Sequence, residues 1–110
     1  MRTLENLELV ELAVSKDATL ILFGGPDCGV CKVLHPQLEE LVDTHFPEMK
    51  SIYVDCKTTP ETCAQYGVFS LPVVKVYIES MLVFEAFGSF SLKELVDTLQ
   101  RPYSMWKNAK

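Results

Sequence analysis

The sequence predicts an α/β fold, with one central mixed sheet of four or five strands and helices on both faces. Three observations predict this class. The run "ATLILF" at 18–23 is short and continuously apolar, which is typical of a central strand buried on both faces. Apolar residues recur at helical spacing on both sides of this run. Towards the C-terminus, two β-rich runs are joined by only two residues, which predicts an antiparallel hairpin.

The first half of the chain alternates helical and extended patterns. Residues 5–15 predict an amphipathic helix before the central strand. A second helix follows that strand from about Cys28, and Pro36 lies inside it. Because proline removes one backbone hydrogen bond, we expect a kink there. Residues 50–55, "KSIYVD", form the next predicted strand.

The third helix and the hairpin follow. A short helix is predicted to begin at Pro60, with Thr59 as its cap, and to end at Gly67. The runs 71–78 and 81–87 then form the two strands of the hairpin. Their connection is too short for a parallel crossover, so these two strands must be antiparallel.

The final helix begins at Ser91, which is spaced from Glu94 as in a capping box. We expect Pro102 to stop this helix, which leaves residues 103–110 as a C-terminal tail. The apolar residues of that tail, around Trp106, either fold back onto the surface or bind a partner. A chain of 110 residues has the size of one ordinary domain, so we expect a single domain over 1–110.

The charge of the chain excludes some partners. The net charge is −5 and the pI is about 4.9, which argues against nucleic acid and against anionic membrane surfaces. No apolar run reaches the roughly 20 residues that a membrane span needs. Glutamates interrupt the N-terminal segment where a secretory signal would be continuously apolar. We therefore expect a cytoplasmic protein that binds neither nucleic acid nor membrane.

The cysteines are the candidate functional residues. Cys28 and Cys31 form a CxxC motif where the central strand turns into the second helix, and Cys56 and Cys63 lie further along the chain. Cysteines of a cytosolic protein are more often catalytic or metal-binding than structural. By itself the CxxC motif leaves three interpretations open: a redox pair, half of a metal site, or two buried apolar residues.

The position of the motif suits disulfide exchange. The attacking species in exchange is a thiolate, and the free N–H groups at the start of a helix stabilise an anion at Cys28. Cys31 lies one turn further on, where it can attack a mixed disulfide formed at Cys28. Asp27 opposes this arrangement, because a neighbouring carboxylate disfavours a thiolate.

Several segments together resemble the thioredoxin family, over about residues 13–100. "ATLILF" followed by "CGVCKVLHP" is similar to the family's central strand, its CxxC motif and its proline-containing helix, with Pro36 five residues after Cys31. "QYGVFSLP" resembles the family's segment Tyr-Gly-Val-x-x-Ile-Pro. Gly88 resembles the glycine that ends the last strand of the family.

This resemblance implies a dithiol–disulfide oxidoreductase that acts on protein disulfides through Cys28 and Cys31, and we expect a monomer. The sequence does not determine the direction of the reaction, but a cytoplasmic location favours reduction of the substrate. It implies a cis-proline at Pro72 that faces the CxxC motif, and a backbone at Leu71 that pairs with an extended substrate segment. Gly29 and Val30, between the two cysteines, complete the expected substrate-binding residues. The expected partners are protein disulfides and an electron-donor reductase. No cofactor or metal is implied.

The sequence also departs from the family pattern. Asp27 stands where tryptophan is usual, Gly24 where an aromatic residue is usual, and Val30 where proline is usual. Leu22 stands where the family often has a buried acid that accepts the proton of the second cysteine. We therefore expect slower resolution of the mixed disulfide. These departures leave open an alternative function, a redox-inactive interaction module with a thioredoxin fold.

Cys56 and Cys63 have three possible roles. They could complete a Cys₄ zinc site with the CxxC pair, although their C-x₆-C spacing is unusual for zinc. They could form a second disulfide or a regulatory thiol pair. We expect two unpaired cysteines, with Cys63 the more buried because it lies on the short helix.

Overall fold

A single five-stranded sheet forms the centre of the computed structural model, which describes residues 1–109. The sheet has the order β1-β3-β2-β4-β5. Its first three strands in that order are parallel, and β4 and β5 run antiparallel to their neighbours. The prediction of a mixed sheet is confirmed. The strands are β1 Arg2–Thr3, β2 Ala18–Gly24, β3 Lys50–Asp55, β4 Val73–Ile78 and β5 Met81–Phe87, and the helices are α1 Leu7–Ser15, α2 Gly29–His45, α3 Pro60–Gln65 and α4 Leu92–Asn108.

Helices cover both faces of the sheet, because β2 is apolar at every position but one and fully buried. Successive side chains of a strand point to opposite faces. Leu20 and Leu22 accordingly join the residues of α2 and α4 in one apolar cluster. Ile21 and Phe23 join the residues of α1 and the buried Cys63 of α3 in the other.

Local polar contacts set where the helices begin. The Asn6 side chain accepts hydrogen bonds from the N–H groups of Glu8 and Leu9 at the start of α1. Ser91 accepts one from the N–H of Glu94, as its spacing predicts. Thr59 is the N-cap residue of α3, as predicted, but its side chain accepts no hydrogen bond from the helix. Its hydroxyl donates instead to the carbonyl oxygen of Asp55 at 2.6 Å.

The predicted hairpin is confirmed, with Glu79 and Ser80 at its turn. Both residues have positive φ, 47° and 74°, the conformation that tight hairpin turns with matching twist require. The first strand, β1, is only two residues long and lies at the edge of the sheet beside β3.

The predicted stop at Pro102 is wrong, and residues 103–108 are not a tail. Helix α4 continues through Pro102 to Asn108. A proline inside a helix costs roughly 3 kcal/mol. Continuation buries Tyr103 and Trp106 in the cluster beneath α2 and α4, and a buried large side chain is worth about 1.5–3 kcal/mol. The Tyr103 hydroxyl also accepts a hydrogen bond from the N–H of Glu48 at 3.0 Å.

Within residues 1–109, no helix combines the length and the apolar character that crossing a membrane would require.

Candidate active site

The CxxC motif lies at the carboxyl end of the central strand. β2 ends at Gly24, the chain turns, and Cys28 is the N-cap of the 17-residue helix α2. The N–H of Cys28 donates to the carbonyl oxygen of Gly25 at 3.2 Å, which closes the turn. The neighbouring parallel strand β3 ends at the same edge of the sheet, since its last residue, Asp55, pairs with Gly24.

Cys28 and Cys31 are joined as a disulfide, with their Cα atoms 5.3 Å apart. Cys28 is half-buried, whereas Cys31 is only 1% exposed. The Cys28 sulfur accepts a hydrogen bond from the backbone N–H of Cys31 at 3.2 Å. One sulfur of the pair is therefore open to attack and lies against the free N–H groups of a helix, while the other is sheltered.

An open groove of about 600 Å³ runs beside Cys28, and we call it the CxxC groove. It brings together four of the six predicted site residues, Cys28, Gly29, Val30 and Leu71. The other two, Cys31 and Pro72, are buried. The full lining is Gly25, Pro26, Asp27, Cys28, Gly29, Val30, Cys56, Lys57 and Leu71.

The Leu71–Pro72 peptide bond is cis, as predicted from the resemblance. Leu71 is exposed and lines the CxxC groove. The carbonyl oxygen of Pro72 accepts a hydrogen bond from the N–H of Gly88, which ties this segment to the end of β5.

Exposed apolar side chains lie in the lining of the groove and in the loop that leads to it. Val30 and Leu71 are exposed at the groove, and Phe69, in the loop that leads to Leu71, is 85% exposed. The sequence analysis missed Phe69. Its signal was a large aromatic residue two positions before a residue already predicted to contact substrate.

A buried lysine supports that loop from below. Lys75 on β4 is only 7% exposed. Its ammonium group donates to the carbonyl oxygen of Tyr66 at 2.5 Å and pairs with the Glu85 carboxylate at 3.0 Å. The start of the segment between Tyr66 and Pro72 is thus fixed to the sheet.

Comparison with known proteins now identifies the family, because the family model for thioredoxin matches residues 4–101. The chain belongs to the thioredoxin family. It is 34% identical to a thioredoxin of Bacillus subtilis over 85 residues, 77% of this chain and 81% of that relative. It is 26% identical to a thioredoxin of Griffithsia pacifica over 91 residues, 83% and 84% of the two chains.

Solved structures agree with this assignment. A thioredoxin of Plasmodium falciparum superimposes with a TM-score of 0.76 at 25% identity, over 88% of this chain and 97% of that one. A thioredoxin of Trypanosoma brucei brucei has the same fold, with a TM-score of 0.81 at 21% identity over 93% and 89% of the two chains. The family and its CxxC pair make this chain a dithiol–disulfide oxidoreductase.

Tyr53 occupies the space left by one departure from the thioredoxin pattern. A Cβ atom added to Gly24 would lie 2.9 Å from the Tyr53 hydroxyl and 3.1 Å from the Cβ of Cys31. The phenol therefore lies beside the buried cysteine, where Gly24 has no side chain. Tyr53 was missed from sequence, although its position beside Leu22 on the neighbouring strand is a signal.

The surroundings of Cys31 differ from those of a thioredoxin with a buried acid. Leu22 is fully buried and carries no carboxyl group. A small hollow is lined by Cys31, Lys32, His35, Pro36 and Tyr53. The His35 ring packs edge-on against Tyr53, with ring centroids 5.5 Å apart.

The phenol of Tyr53 remains protonated at neutral pH. Burial, together with the nearby charge of Asp55, raises its pKa above the ordinary value of 10. Because the phenol keeps its proton, Tyr53 is a poor acceptor for the proton of the Cys31 thiol.

The expectation of two unpaired cysteines is wrong, because Cys56 and Cys63 form a second disulfide with a Cα–Cα distance of 5.7 Å. The loop after β3 and the following helix bring the two residues together. The prediction that Cys63 is the more buried is confirmed, since it is 2% exposed and Cys56 is half-buried. Among residues 1–109, no three His, Cys, Asp or Glu side chains are grouped so as to hold a metal.

Proposed function

We propose that this protein reduces disulfides in protein substrates, with Cys28 as the attacking residue and Cys31 as the resolving one. The observation that carries the proposal is the unequal exposure of the two sulfurs at the start of α2: Cys28 opens onto the CxxC groove, and Cys31 is 1% exposed. An accessible thiolate can attack a disulfide of another protein, whereas a buried cysteine can react only with the mixed disulfide formed within its own molecule.

The reaction has two exchanges. The Cys28 thiolate attacks one sulfur of the substrate disulfide. A bond forms between Cys28 and the substrate, the substrate S–S bond breaks, and the first substrate sulfur leaves as a thiolate that takes up a proton. The Cys31 thiol loses its proton and attacks the Cys28 sulfur, which closes the Cys28–Cys31 disulfide and releases the second substrate sulfur. The substrate gains two electrons, and the pair loses two.

The substrate segment lies extended across the CxxC groove in this proposal. The backbone of Leu71 supplies main-chain hydrogen bonds, as in strand addition. Gly29 and Val30 contact the segment from the helix side, and Pro72 holds Leu71 in place from beneath. Exposed apolar side chains at Val30 and Leu71 support this placement.

The cellular setting is part of the proposal, because a cytoplasmic location favours the reducing direction of the reaction. We place the protein in the cytoplasm, as a monomer whose residues 1–110 act as one domain, with an electron-donor reductase that restores the dithiol. The five described strands form one sheet, which supports a single domain. The chemistry needs no bound cofactor, because the disulfide itself carries the two electrons.

A glutathione redox titration, quenched with an alkylating mass tag and resolved by peptide, tests the proposal. Cys28 and Cys31 should titrate together as a two-electron pair, with Cys28 tagged first in the reduced protein. A midpoint at or below about −270 mV indicates a reductase, and one near −120 mV indicates an oxidant. Independent tagging of the two cysteines under oxidising conditions would refute the reaction.

Two matched variants separate the roles of the cysteines. With Cys56 also replaced by serine in both variants, Cys31→Ser should accumulate a mixed disulfide between Cys28 and a disulfide-containing peptide, because no accessible thiol is left to resolve it. Cys28→Ser should accumulate none at Cys31, which is sheltered. Equal adducts in both variants would contradict the assignment. Stopped-flow release from the wild-type mixed disulfide measures whether resolution is slower than in a thioredoxin that has the buried acid.

A further inference from the structure

The second disulfide opens onto the same groove as the first. Cys56 follows directly after β3, and its N–H donates to the carbonyl oxygen of Gly24 at 2.8 Å. Gly24 ends β2, four residues before Cys28. Since the two strands are parallel and adjacent, their carboxyl ends place Cys28 and Cys56 at one edge of the sheet. Both residues line the CxxC groove.

The two disulfides also share the same asymmetry. Each joins a half-buried sulfur to a sheltered one: Cys28 to Cys31, and Cys56 to Cys63. Cys63 lies in the apolar cluster between the sheet and α1. Disulfide exchange of this kind needs one solvent-accessible sulfur, which is attacked or attacks, and one buried sulfur that resolves the intermediate. The second pair meets this requirement as the first does.

A cation stands beside the second pair. Lys57 is exposed and lines the CxxC groove next to Cys56. Its backbone N–H donates to the Asp55 carboxylate at 2.8 Å, which fixes the turn that holds Cys56 at the groove. A neighbouring lysine favours the thiolate form of a cysteine. The carboxylates of Asp27, in the groove lining, and of Asp55, directly before Cys56, oppose it.

From this geometry we infer that Cys56 and Cys63 are a second redox-active dithiol–disulfide couple, which exchanges electrons with Cys28 and Cys31 across the CxxC groove. The inference rests on the proposed roles of Cys28 and Cys31. It makes the fully reduced protein a carrier of four electrons instead of two, with the second pair as a store that can reload the first after a substrate has been reduced.

The internal exchange balances without any outside reactant. The Cys28 thiolate attacks the Cys56 sulfur, a Cys28–Cys56 bond forms, and the Cys56–Cys63 bond breaks with Cys63 leaving as a thiolate. The Cys31 thiol loses its proton, which passes to Cys63, and its sulfur attacks Cys28. The Cys28–Cys31 bond forms and Cys56 leaves as a thiolate. The first pair loses two electrons and the second gains two, and the reverse sequence reloads the first pair.

The first test asks whether the two accessible sulfurs can meet. The variant Cys31→Ser/Cys63→Ser retains only Cys28 and Cys56, and is oxidised with glutathione disulfide at low protein concentration. The expected product is a monomer with an internal Cys28–Cys56 link, identified by peptide mass. The matched control Cys31→Ser/Cys56→Ser keeps the sheltered Cys63 and should give a glutathione adduct at Cys28 and no link. Glutathione adducts at both Cys28 and Cys56 would overturn the inference.

The second test uses the wild-type chain, so it does not depend on the folding of a variant. One equivalent of a phosphine reductant opens one disulfide per molecule, and alkylating tags follow both pairs over time after the phosphine is consumed. Internal exchange predicts that the tags redistribute between the pairs at a rate unchanged by tenfold dilution. A static distribution, or a rate that falls about tenfold with the dilution, would overturn it.

These outcomes are separate from those of the proposed function. If the second pair is inert, Cys28 and Cys31 still titrate together and Cys31→Ser still captures a disulfide peptide. If the roles of Cys28 and Cys31 are wrong, that capture fails whatever Cys56 and Cys63 do.

Discussion

Replacing Gly24 with alanine tests the contact between Tyr53 and the buried cysteine. The added Cβ would lie 2.9 Å from both a ring carbon and the hydroxyl of Tyr53, and 3.1 Å from the Cβ of Cys31. Cys31 is held by its disulfide and by α2, so it cannot move away. The far end of the half-buried Tyr53 ring must therefore shift.

The size of the effect follows from that geometry. Overpacking of a well-packed site costs about 1–3 kcal/mol. Because the half-buried Tyr53 ring can move outward, we place the cost of this substitution in the lower half of that range. We expect Gly24→Ala to lower the free energy of unfolding of the oxidised protein by about 1–2 kcal/mol. Urea denaturation measures this as a lower midpoint at an unchanged m-value.

A double-mutant cycle assigns the cost to Tyr53. In a Tyr53→Ala background the clashing ring is gone, so the added methyl should cost almost nothing, and the two substitutions should couple by most of the single-variant loss. Gly29→Ala is the control, because a Cβ there meets nothing within 4 Å and should be neutral or stabilise by about 0.4–1 kcal/mol. The same loss from Gly24→Ala in both backgrounds would refute the contact.

Two further predictions concern α4 and the tyrosine cluster. Trp106→Ala should lower the free energy of unfolding by about 3–5 kcal/mol, because Trp106 is only 7% exposed and lies in the main apolar cluster. The matched control is Met105→Ala, which should change the free energy of unfolding by no more than about 0.5 kcal/mol, because Met105 is exposed. Equal effects of the two substitutions in urea denaturation would contradict the packing of α4 beyond Pro102. Burial raises the pKa of Tyr66 to about 12, with smaller electrostatic contributions from Tyr77 and Glu11. Between pH 10 and 12, Tyr66 of the unfolded chain therefore loses its proton while Tyr66 of the native protein keeps it. The free energy of unfolding consequently falls as the pH rises through this range. Unfolding measured against pH should show a shallower fall in Tyr66→Phe, and an unchanged slope would contradict the burial of this phenol.

The sequence predicted those parts of the fold that depend on local patterns. The strand at 18–23 was predictable because every one of its side chains is buried, whichever face it points to. The hairpin was predictable because two residues at Glu79 and Ser80 leave only an antiparallel connection. Most of the predicted site residues also lie together, because a CxxC motif and a downstream Leu71–Pro72 segment sit at fixed positions in this fold.

The features that the sequence did not predict depend on distant contacts. Pro102 ends a helix when only local hydrogen bonding is considered, but the burial of Tyr103 and Trp106 offsets its cost. The pairing of Cys56 with Cys63 depends on how the loop after β3 turns, and a spacing of seven residues does not determine that path. Tyr53 lies on β3, whereas Cys31 lies on α2, which follows β2. Their contact depends on how these two elements pack together, and no local pattern shows that.

The ion pair between Lys75 and Glu85 has a consequence for how β4 and β5 align. These two residues are direct partners in the ladder, and the Lys75 ammonium is buried. Sliding β5 by one residue would turn Glu85 to the opposite face of the sheet and leave a buried cation without its carboxylate, which is strongly unfavourable. A single charge pair therefore disfavours the neighbouring misalignments of the hairpin, whose first strand begins directly after Leu71 and Pro72.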